Sequence, residues 1–372
     1  MRFRFTPIVT AILAASLLAT SAQTASAMPP PDRLAVLARG VNLTNWFRFP
    51  ARVDAASMRA YLSNAAIDEL RQAGFTFVRL AVQPEYLQSD PTRRVLLVAQ
   101  IARLERHGLG VVVTLHPATW HLETSAADRS ALLAAWRALA SALRPLDPRL
   151  TFPEPLNEPV FVGDPAGWAR LQATVLAAIR AALPASTIVL TGNDWGSIAG
   201  LLALRPSADP NVIYSFHFYD PAELTSLAAW RPGLDTTALA RLPFPVSDPP
   251  ACETALGQTD QATRDVARYY CALRWSAVSI DHRIDKAAAW AARAHLALLA
   301  GEFGATARLN RSSRLAWLQA VRRACQRQRI GWALWGYDDA MGFGVSRPPG
   351  QLPVLDEGVL DALGLGKAQT RY

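Results

Sequence analysis

Apolar and polar positions along the chain form two alternating patterns. Short, almost continuous apolar runs of the kind found in buried strands recur at residues 37–43, 75–82, 110–115, 150–156, 187–191, 212–218, 296–300 and 330–335. Most are separated by segments with apolar residues at helical spacing, at residues 60–73, 95–107, 126–143, 166–183, 263–294 and 312–328. Eight strands alternating with helices favour an α/β fold, a single (β/α)8 TIM barrel, over an open sheet.

The first 27 residues follow a different pattern. They begin with Arg2 and Arg4, continue with an apolar run at 8–20 and end on small residues, which together predict a secretory signal peptide over residues 1–27. The apolar run is shorter than the roughly 20 residues of a membrane span. We therefore expect residues 28–372 to form one barrel domain that is secreted or periplasmic, without membrane contact after signal removal.

A long Pro- and Asp-rich segment, at about 220–261, follows the sixth strand. It is too long for an ordinary connection, so we expect an excursion from the barrel that lies near the functional face. Cys252 and Cys271 lie at its end and in the next helix, and export would permit a disulfide between them. Cys325 falls in a helical pattern and fits the core.

The formal net charge is +8, and it falls to +6 when Arg2 and Arg4 are removed (8 − 2). Almost all of the basic residues are arginines, scattered among helices beside acidic residues. No compact basic run occurs, so we expect no nucleic-acid partner. The glycine-rich loop of dinucleotide-binding domains is absent as well.

Polar or aromatic side chains follow almost every predicted strand. In a barrel of this kind the carboxyl ends of the strands carry the chemistry. Each residue alone has a structural explanation, but the joint pattern is harder to dismiss. Glu158 and Glu302 would face each other across one pocket, as the two carboxylic acids of glycoside hydrolysis do. The full set at these ends is Asn42, Trp46, Arg79, His116, Asn157, Glu158, Asn193, Trp195, His217, Tyr219, Glu302 and Trp335.

Over nearly the whole mature chain the sequence resembles glycoside hydrolase family 5, the cellulase-like (β/α)8 barrels of clan A. The resemblance rests on motifs at barrel spacing: "RGVNLTNWF", "FVRLAV", "LHP", "LNEP", "SFHFYD", "GEFG" and "WALWGYDD". It implies that Glu158 is the general acid/base and Glu302 the nucleophile. Asn157 matches the amide that binds the sugar 2-hydroxyl.

The resemblance also implies supporting roles around the two glutamates. Tyr219 would orient Glu302, and Arg79 would keep it ionised. His217 would lie near Glu158, and Trp335 would form the platform under the sugar before the scissile bond. Further predicted substrate-binding or supporting residues are His116, Asn42, Trp46 and Trp195, and Trp120 and Trp230 would add to the loops at this face.

The two carboxyl groups of a retaining enzyme stand about 5–5.5 Å apart. At that distance we expect ionised Glu302 to raise the pKa of Glu158, while Arg79 and Tyr219 favour the charged form of Glu302. Neither a metal nor an organic cofactor is expected. Two departures from the family pattern concern the backbone: Pro117 directly follows His116, and Pro153 and Pro155 predict a fourth strand that is bulged or locally unpaired.

Two other classes of function agree less well with the sequence. A carbohydrate-binding protein without turnover would not need both glutamates, and a metal-dependent hydrolase using His116, His121 and His217 lacks suitable spacing. Within the family, β-mannanase, exo-β-1,3-glucanase and transglycosylase activities stay open. We expect a monomeric, retaining endo-β-1,4-glucanase, a cellulase, that acts by double displacement on β-glucan or a related polysaccharide.

Overall fold

The computed structural model describes residues 28–345 and 354–366. The predicted signal peptide, residues 1–27, lies outside the described residues. Eight parallel strands form the sheet, which confirms the (β/α)8 barrel. The strands are β1 Arg39–Phe47, β2 Phe77–Val82, β3 Gly110–Leu115, β4 Thr151–Glu154, β5 Ile188–Thr191, β6 Val212–Phe218, β7 Leu298–Phe303 and β8 Gly331–Leu334.

Helices cover the outside of the barrel and fill its connections. They are α1 Pro31–Val36, α2 Ala55–Ala60, α3 Asn64–Ala73, α4 Pro84–Gln88, α5 Pro91–Arg106, α6 Ala126–Leu143, α7 Gly167–Ala182, α8 Ile198–Leu202, α9 Ala222–Thr225, α10 Thr236–Leu239, α11 Pro249–Thr254, α12 Gln261–Ala272, α13 Ala277–Arg293, α14 Arg311–Arg327 and α15 Glu357–Ala362. In the part of the chain that the structure describes, none of the helices has both the length and the apolarity that a bilayer crossing requires.

Two helices predicted as continuous are each divided in the structure. The segment 263–294 contains the end of α12 and all of α13, because Arg274 adopts a left-handed backbone (φ 50°) and Ser276 caps the next helix. The segment 60–73 is divided in the same way by Ser63, whose side chain accepts a hydrogen bond from the Ala66 amide at the start of α3. Polar caps thus set boundaries that apolar periodicity alone does not show.

The hydrogen-bonded ladder runs in the order β4-β3-β2-β1-β8-β7-β6-β5. Among the described residues no ladder joins β4 to β5, which leaves a seam in the barrel. The Leu150 carbonyl accepts a hydrogen bond from the Val111 amide. The backbone N–H and C=O groups of even-numbered residues in β4 therefore point toward β3, and the backbone nitrogens of Pro153 and Pro155 point toward the seam. The predicted local unpairing of the fourth strand is confirmed on its β5 side. The two prolines cost no ladder hydrogen bond, because an N–H group at either position would have no strand partner there.

The interior of the barrel is filled by one layer of apolar side chains, which includes Phe77, Phe152 and Ile213. Because successive side chains of a strand alternate between faces, residues two positions further along point into the same interior. Arg79 and Glu154 therefore follow Phe77 and Phe152 on the interior face, one layer closer to the carboxyl ends. The apolar layer forms the floor beneath these polar side chains.

Strand β7 contains an irregularity that changes which face its side chains occupy. Leu299 belongs to the interior layer, whereas Phe303 packs on the outer side against the helices. The register shifts between Ala300 and Phe303, so that Glu302 pairs with His217 of β6. A bulge of this kind re-aims a side chain, and here it turns Glu302 toward the barrel interior.

The segment after β6 forms the predicted excursion and contains the short helices α9, α10 and α11. A disulfide joins Cys252 in α11 to Cys271 in α12. The Tyr270 hydroxyl donates to the Pro243 carbonyl at 2.6 Å, which ties α12 to the excursion again. Cys325 is buried in α14 with a free thiol. The disulfide and the Tyr270 hydrogen bond thus hold the excursion against α12.

Candidate active site

Arg79 is fully buried at the centre of the polar layer and connects four elements of the barrel. Its Nε and Nη2 donate to the two carboxylate oxygens of Glu154, at 2.7 and 3.0 Å. Nη1 donates to Glu302 at 2.5 Å and to Asn42 at 3.0 Å, and Nη2 donates to Asn157 at 2.9 Å. Arg79 thus fixes the positions of Glu302 and Asn157, both of which are predicted to face the substrate.

Glu302 is 3% exposed and is held from two sides. Arg79 donates to Oε1, and the Tyr219 hydroxyl donates to Oε2 at 2.9 Å. Burial raises the pKa of Tyr219 well above its usual value, and the nearby charge of Glu302 adds to that effect, so the phenol keeps its proton and remains a donor. The carboxylate is therefore oriented by two donors that do not titrate near neutral pH.

Glu158 lies in the loop that follows β4, and its backbone has a positive φ of 44°. A non-glycine residue in this region costs on the order of 1 kcal/mol or more, and such strain occurs at functional sites. Its Oε1 lies 2.9 Å from Nδ1 of His217, and the same nitrogen lies 3.4 Å from Glu302 Oε2. The imidazole therefore lies between the two carboxylates.

This position of His217 reverses the pKa order expected from the two glutamates alone. Burial raises the pKa of Glu158, but the hydrogen bond and charge of His217, together with the charges of Arg79 and Arg48, lower it below its usual value. Burial lowers the pKa of His217, yet Glu302 and Glu158 raise it above its usual value. Burial also raises the pKa of Glu302. In the free site these shifts favour the proton on His217, one hydrogen bond from Glu158.

Glu158 and His217 titrate as a pair, and the proton can occupy either partner across the 2.9 Å contact. We expect the pair to lose this proton only as the pH rises through the raised pKa of His217. Replacing His217 with asparagine should therefore move the basic limb of the pH dependence of kcat/KM to lower pH, because an unassisted carboxyl titrates lower than a histidine. Steady-state kinetics on a soluble substrate between pH 4 and 10 would measure it. A basic limb that stays in place would contradict the shared proton.

His116 and Trp335 form a second group beside the carboxylates. Their rings stack with centroids 6.2 Å apart and planes 20° apart. Both ring nitrogens of His116 are buried without a hydrogen-bond partner among the described residues. Burial and the charges of Arg79 and Arg48 lower the pKa of His116 well below its usual value, so its ring is neutral. A neutral imidazole with free nitrogens can serve hydroxyl groups of a ligand.

Two cavities meet at Glu158 and Trp195. The first has a volume of about 430 Å³, and its walls include Arg48, His116, Trp120 and Asn157. The second has a volume of about 760 Å³, and its walls include His217, Tyr219, Asp220 and Arg283. A chain-like ligand could therefore extend to both sides of Glu158.

The structure separates the predicted tryptophans. Trp195 is 57% exposed and borders both cavities, and Trp120 borders the first. The prediction for Trp46 is wrong: β1 continues to Phe47, and Trp46 is fully buried, stacked on Tyr61 and bonded through Nε1 to the Met58 carbonyl. Trp230 is exposed on the excursion. Asn42 is also fully buried, and its Oδ1 accepts a hydrogen bond from Arg79.

Two residues of the site were not singled out from the sequence. Glu154 had a detectable signal, because a carboxylate within a short buried strand requires a buried cation. Arg48 directly follows β1 and borders the first cavity. Its charge is unremarkable in a chain so rich in arginine, and only the fold brings it close to the glutamates.

Glu158, His217 and Glu302 each offer an atom within 4.8 Å of the others, a spacing that could suit a metal ion. The side-chain atoms that would bind the ion already take part in hydrogen bonds, because Arg79 and Tyr219 donate to Glu302 while His217 contacts Glu158. His116 and His121, which the metal-hydrolase alternative would need, do not belong to this cluster. The geometry is that of a carboxylate pair supported by protein donors.

A (β/α)8 barrel with two such carboxylates at the carboxyl ends of its strands defines a class, the glycoside hydrolases that work with paired carboxylic acids. The family model described as cellulase, glycosyl hydrolase family 5, matches residues 37–340. The chain belongs to this family, as the sequence motifs predicted.

The individual relatives share a low sequence identity with this chain. Endoglucanase 3 of Fibrobacter succinogenes is 27% identical over 362 residues, covering 89% of this chain and 53% of its own length. Endoglucanase C of Acetivibrio thermocellus is 23% identical over 320 residues, covering 80% of this chain and 90% of its own. The crystal structure of endoglucanase Cel5A from Thermotoga maritima superposes with a TM-score of 0.70 at 21% identity, covering 90% of this chain and 99% of that one. The chain thus spans about half the length of Endoglucanase 3.

Proposed function

We propose that this protein is a retaining endo-β-1,4-glucanase, secreted or periplasmic, in which Glu302 is the nucleophile and Glu158 the general acid/base. The observation that carries the proposal is the separation of the two carboxylates, whose nearest oxygens lie within 4.8 Å. Retaining enzymes need about 5–5.5 Å, whereas inverting enzymes leave room for a water at roughly 6.5–9.5 Å.

The reaction would proceed in two displacements. Glu302, oriented by Arg79 and Tyr219, attacks the anomeric carbon while Glu158 protonates the leaving oxygen. The proton reaches Glu158 from His217 across their 2.9 Å contact. In the second step Glu158 accepts a proton from water, which attacks the same carbon and releases Glu302.

Asn157 and Trp335 would position the sugar. The Asn157 carbonyl oxygen is held by Arg79 at 2.9 Å, so its amide N–H groups remain to donate to a sugar hydroxyl. The flat face of Trp335, stacked on His116, suits the C–H face of a sugar.

The endo mode and the β-1,4-glucan rest on two supports. The cavities on both sides of Glu158 give a polymer room to continue in both directions. The relatives named above are endoglucanases, and Thermotoga maritima Cel5A has been solved with both cellobiose and mannotriose. β-Mannan is therefore the second candidate substrate.

Release of reducing ends from a panel of polymers tests this function. We expect the mature protein to act most strongly on hydroxyethyl-cellulose or carboxymethyl-cellulose, and less on β-mannan, laminarin and mixed-linkage glucan. Endo action should lower the viscosity of the polymer much faster than it releases reducing ends. Release only from mannan or laminarin would move the assignment to another activity of the family, and release from none would contradict the glycosidase.

A further inference from the structure

Arg48 lies at the mouth of the site, in the first residue after β1. Its guanidinium carbon is 4.5 Å from the ring centroid of Phe49 and 5.9 Å from that of Trp335. The side chain is half-buried and forms part of the wall of the first cavity. Arg48 therefore lies beside Trp335, the proposed platform for the sugar on the donor side of the scissile bond.

Unlike Arg79, Arg48 has no hydrogen bond or ion pair with any of the described residues. Its five N–H donors are partly removed from water, and none of them has an acceptor among the described residues. Burial lowers the pKa of Arg48, and the charges of Glu302 and Glu158 offset only part of this effect. A half-buried charge that the protein compensates only in part can gain further compensation from a ligand.

The other charged group on the wall of the first cavity, outside the catalytic pair, is already engaged. Glu123 Oε1 accepts from the backbone amides of Gly163 and Asp164, the latter at 3.1 Å. His116 is neutral. The free hydrogen-bonding capacity of charged groups in this cavity is therefore concentrated in the guanidinium of Arg48.

We propose that Arg48 binds a carboxylate carried by the substrate on the donor side, so that the enzyme prefers β-glucans with acidic substituents over neutral ones. This inference rests on the proposed function. A guanidinium meets a carboxylate with two parallel charge-assisted hydrogen bonds, whereas a neutral hydroxyl takes weaker single bonds. The basic character of the chain, with a formal net charge of +8 that becomes +6 without Arg2 and Arg4 (8 − 2), favours the approach of such a polymer.

The test compares two soluble polymers with the same β-1,4-glucan backbone, carboxymethyl-cellulose and hydroxyethyl-cellulose at equal degree of substitution. The measured quantity is the ratio of their kcat/KM values for the native protein and for Arg48→Gln. We expect the native ratio to favour carboxymethyl-cellulose and Arg48→Gln to lower it roughly ten- to a hundredfold, the usual effect of losing a hydrogen bond between charged groups. Arg48→Lys, which keeps the charge but not the fork, should fall between the two.

Arg52→Gln is the matched control, because it removes an exposed arginine of the same loop that is paired with Asp54 and lies outside both cavities. It should leave the ratio unchanged. The native preference should also decline as salt is raised from 0.05 to 0.5 M, as screening requires.

Binding separates failure of this inference from failure of the function. Titration of the Glu302→Gln protein with cellopentaose and with its C6-oxidised, carboxylated form should show tighter binding of the acidic sugar, and Arg48→Gln should remove the difference. Cleavage of both polymers with a ratio that does not depend on Arg48 would overturn the inference and leave the glucanase intact. A loss in Arg48→Gln that is equal on both polymers, or a common shift of their pH profiles, would instead assign Arg48 to neutral sugar or to the glutamates. Cleavage of neither polymer would overturn the function itself.

Discussion

Replacing Glu302 with alanine is expected to lower kcat on the order of 10⁴-fold while binding of the glucan persists. The reason is that the covalent intermediate cannot form, and removal of a nucleophile is among the largest effects of single substitutions. The measurement is kcat on an aryl β-cellobioside, together with calorimetric titration of cello-oligosaccharide binding. Glu302→Gln should be equally slow, and Glu253→Ala, at an acidic residue of α11 that pairs with Arg268, should stay at the native rate.

Azide distinguishes the roles of the two glutamates. In Glu302→Ala, azide should enter the space of the lost carboxylate, restore part of the rate and yield an α-glycosyl azide. In Glu158→Ala it should attack the glycosyl-enzyme instead and yield a β-glycosyl azide, because two inversions preserve the anomeric configuration. Proton NMR of the products reads the anomer directly. The opposite pairing of variants and anomers would exchange the two assignments.

Breaking the buried pair of Arg79 and Glu154 is expected to cost about 3–5 kcal/mol in the free energy of unfolding. Both side chains are fully buried, and Glu154 accepts two of the five side-chain hydrogen bonds that Arg79 donates. Among the described residues, Glu154→Gln would leave Arg79 with Glu302 as its sole anionic partner. Urea unfolding followed by circular dichroism would measure the loss.

A matched pair of controls isolates the buried charge. Arg149→Gln removes one member of an exposed pair with Asp147, and it should cost less than about 1 kcal/mol. The double variant Arg79→Met, Glu154→Leu should regain part of the lost stability, because no unpaired charge remains between those two positions. It should still be inactive, since Glu302 loses the hydrogen bond of Arg79 and the positive charge that lowers its pKa. A Glu154→Gln protein as stable as Arg149→Gln would show that the pair is not needed for folding.

Most of the fold was predictable because periodicity and burial agree in a barrel. The segments 110–115, 212–218 and 126–143 coincide with β3, β6 and α6, where apolar residues continue without interruption to a polar cap or turn. The chain position of Glu158 and Glu302 was equally visible, since both stand in recognisable motifs at strand ends. Periodicity could not show the bulge in β7, because it changes the face of Glu302 without changing the composition of the strand.

The finer organisation of the site depends on contacts between distant strands. The match of Arg79 to its family role indicated a partner for Glu302, but its two bonds to Glu154 required the register of β2 and β4. The pKa order of Glu158 and Glu302 was misjudged because the expectation considered two carboxylates and left out the imidazole between them. Trp46 was misplaced for a related reason: a tryptophan near the end of a strand can turn toward the helices as easily as toward the ligand.

The seam between β4 and β5 lies opposite the pairing of β1 with β8, and these two places delimit two modules of the barrel. Strands β1 to β4 form one half of the hydrogen-bonded ladder and β5 to β8 the other half, joined by the pairing of β1 with β8. The proposed acid/base, Glu158, follows the first module, and the proposed nucleophile, Glu302, belongs to the second. Exchange of a half-barrel with a relative would therefore require one hydrogen-bonded junction to be rematched, while the proline seam needs only side-chain packing. Each half-barrel would bring one of the two proposed catalytic glutamates into such a chimaera.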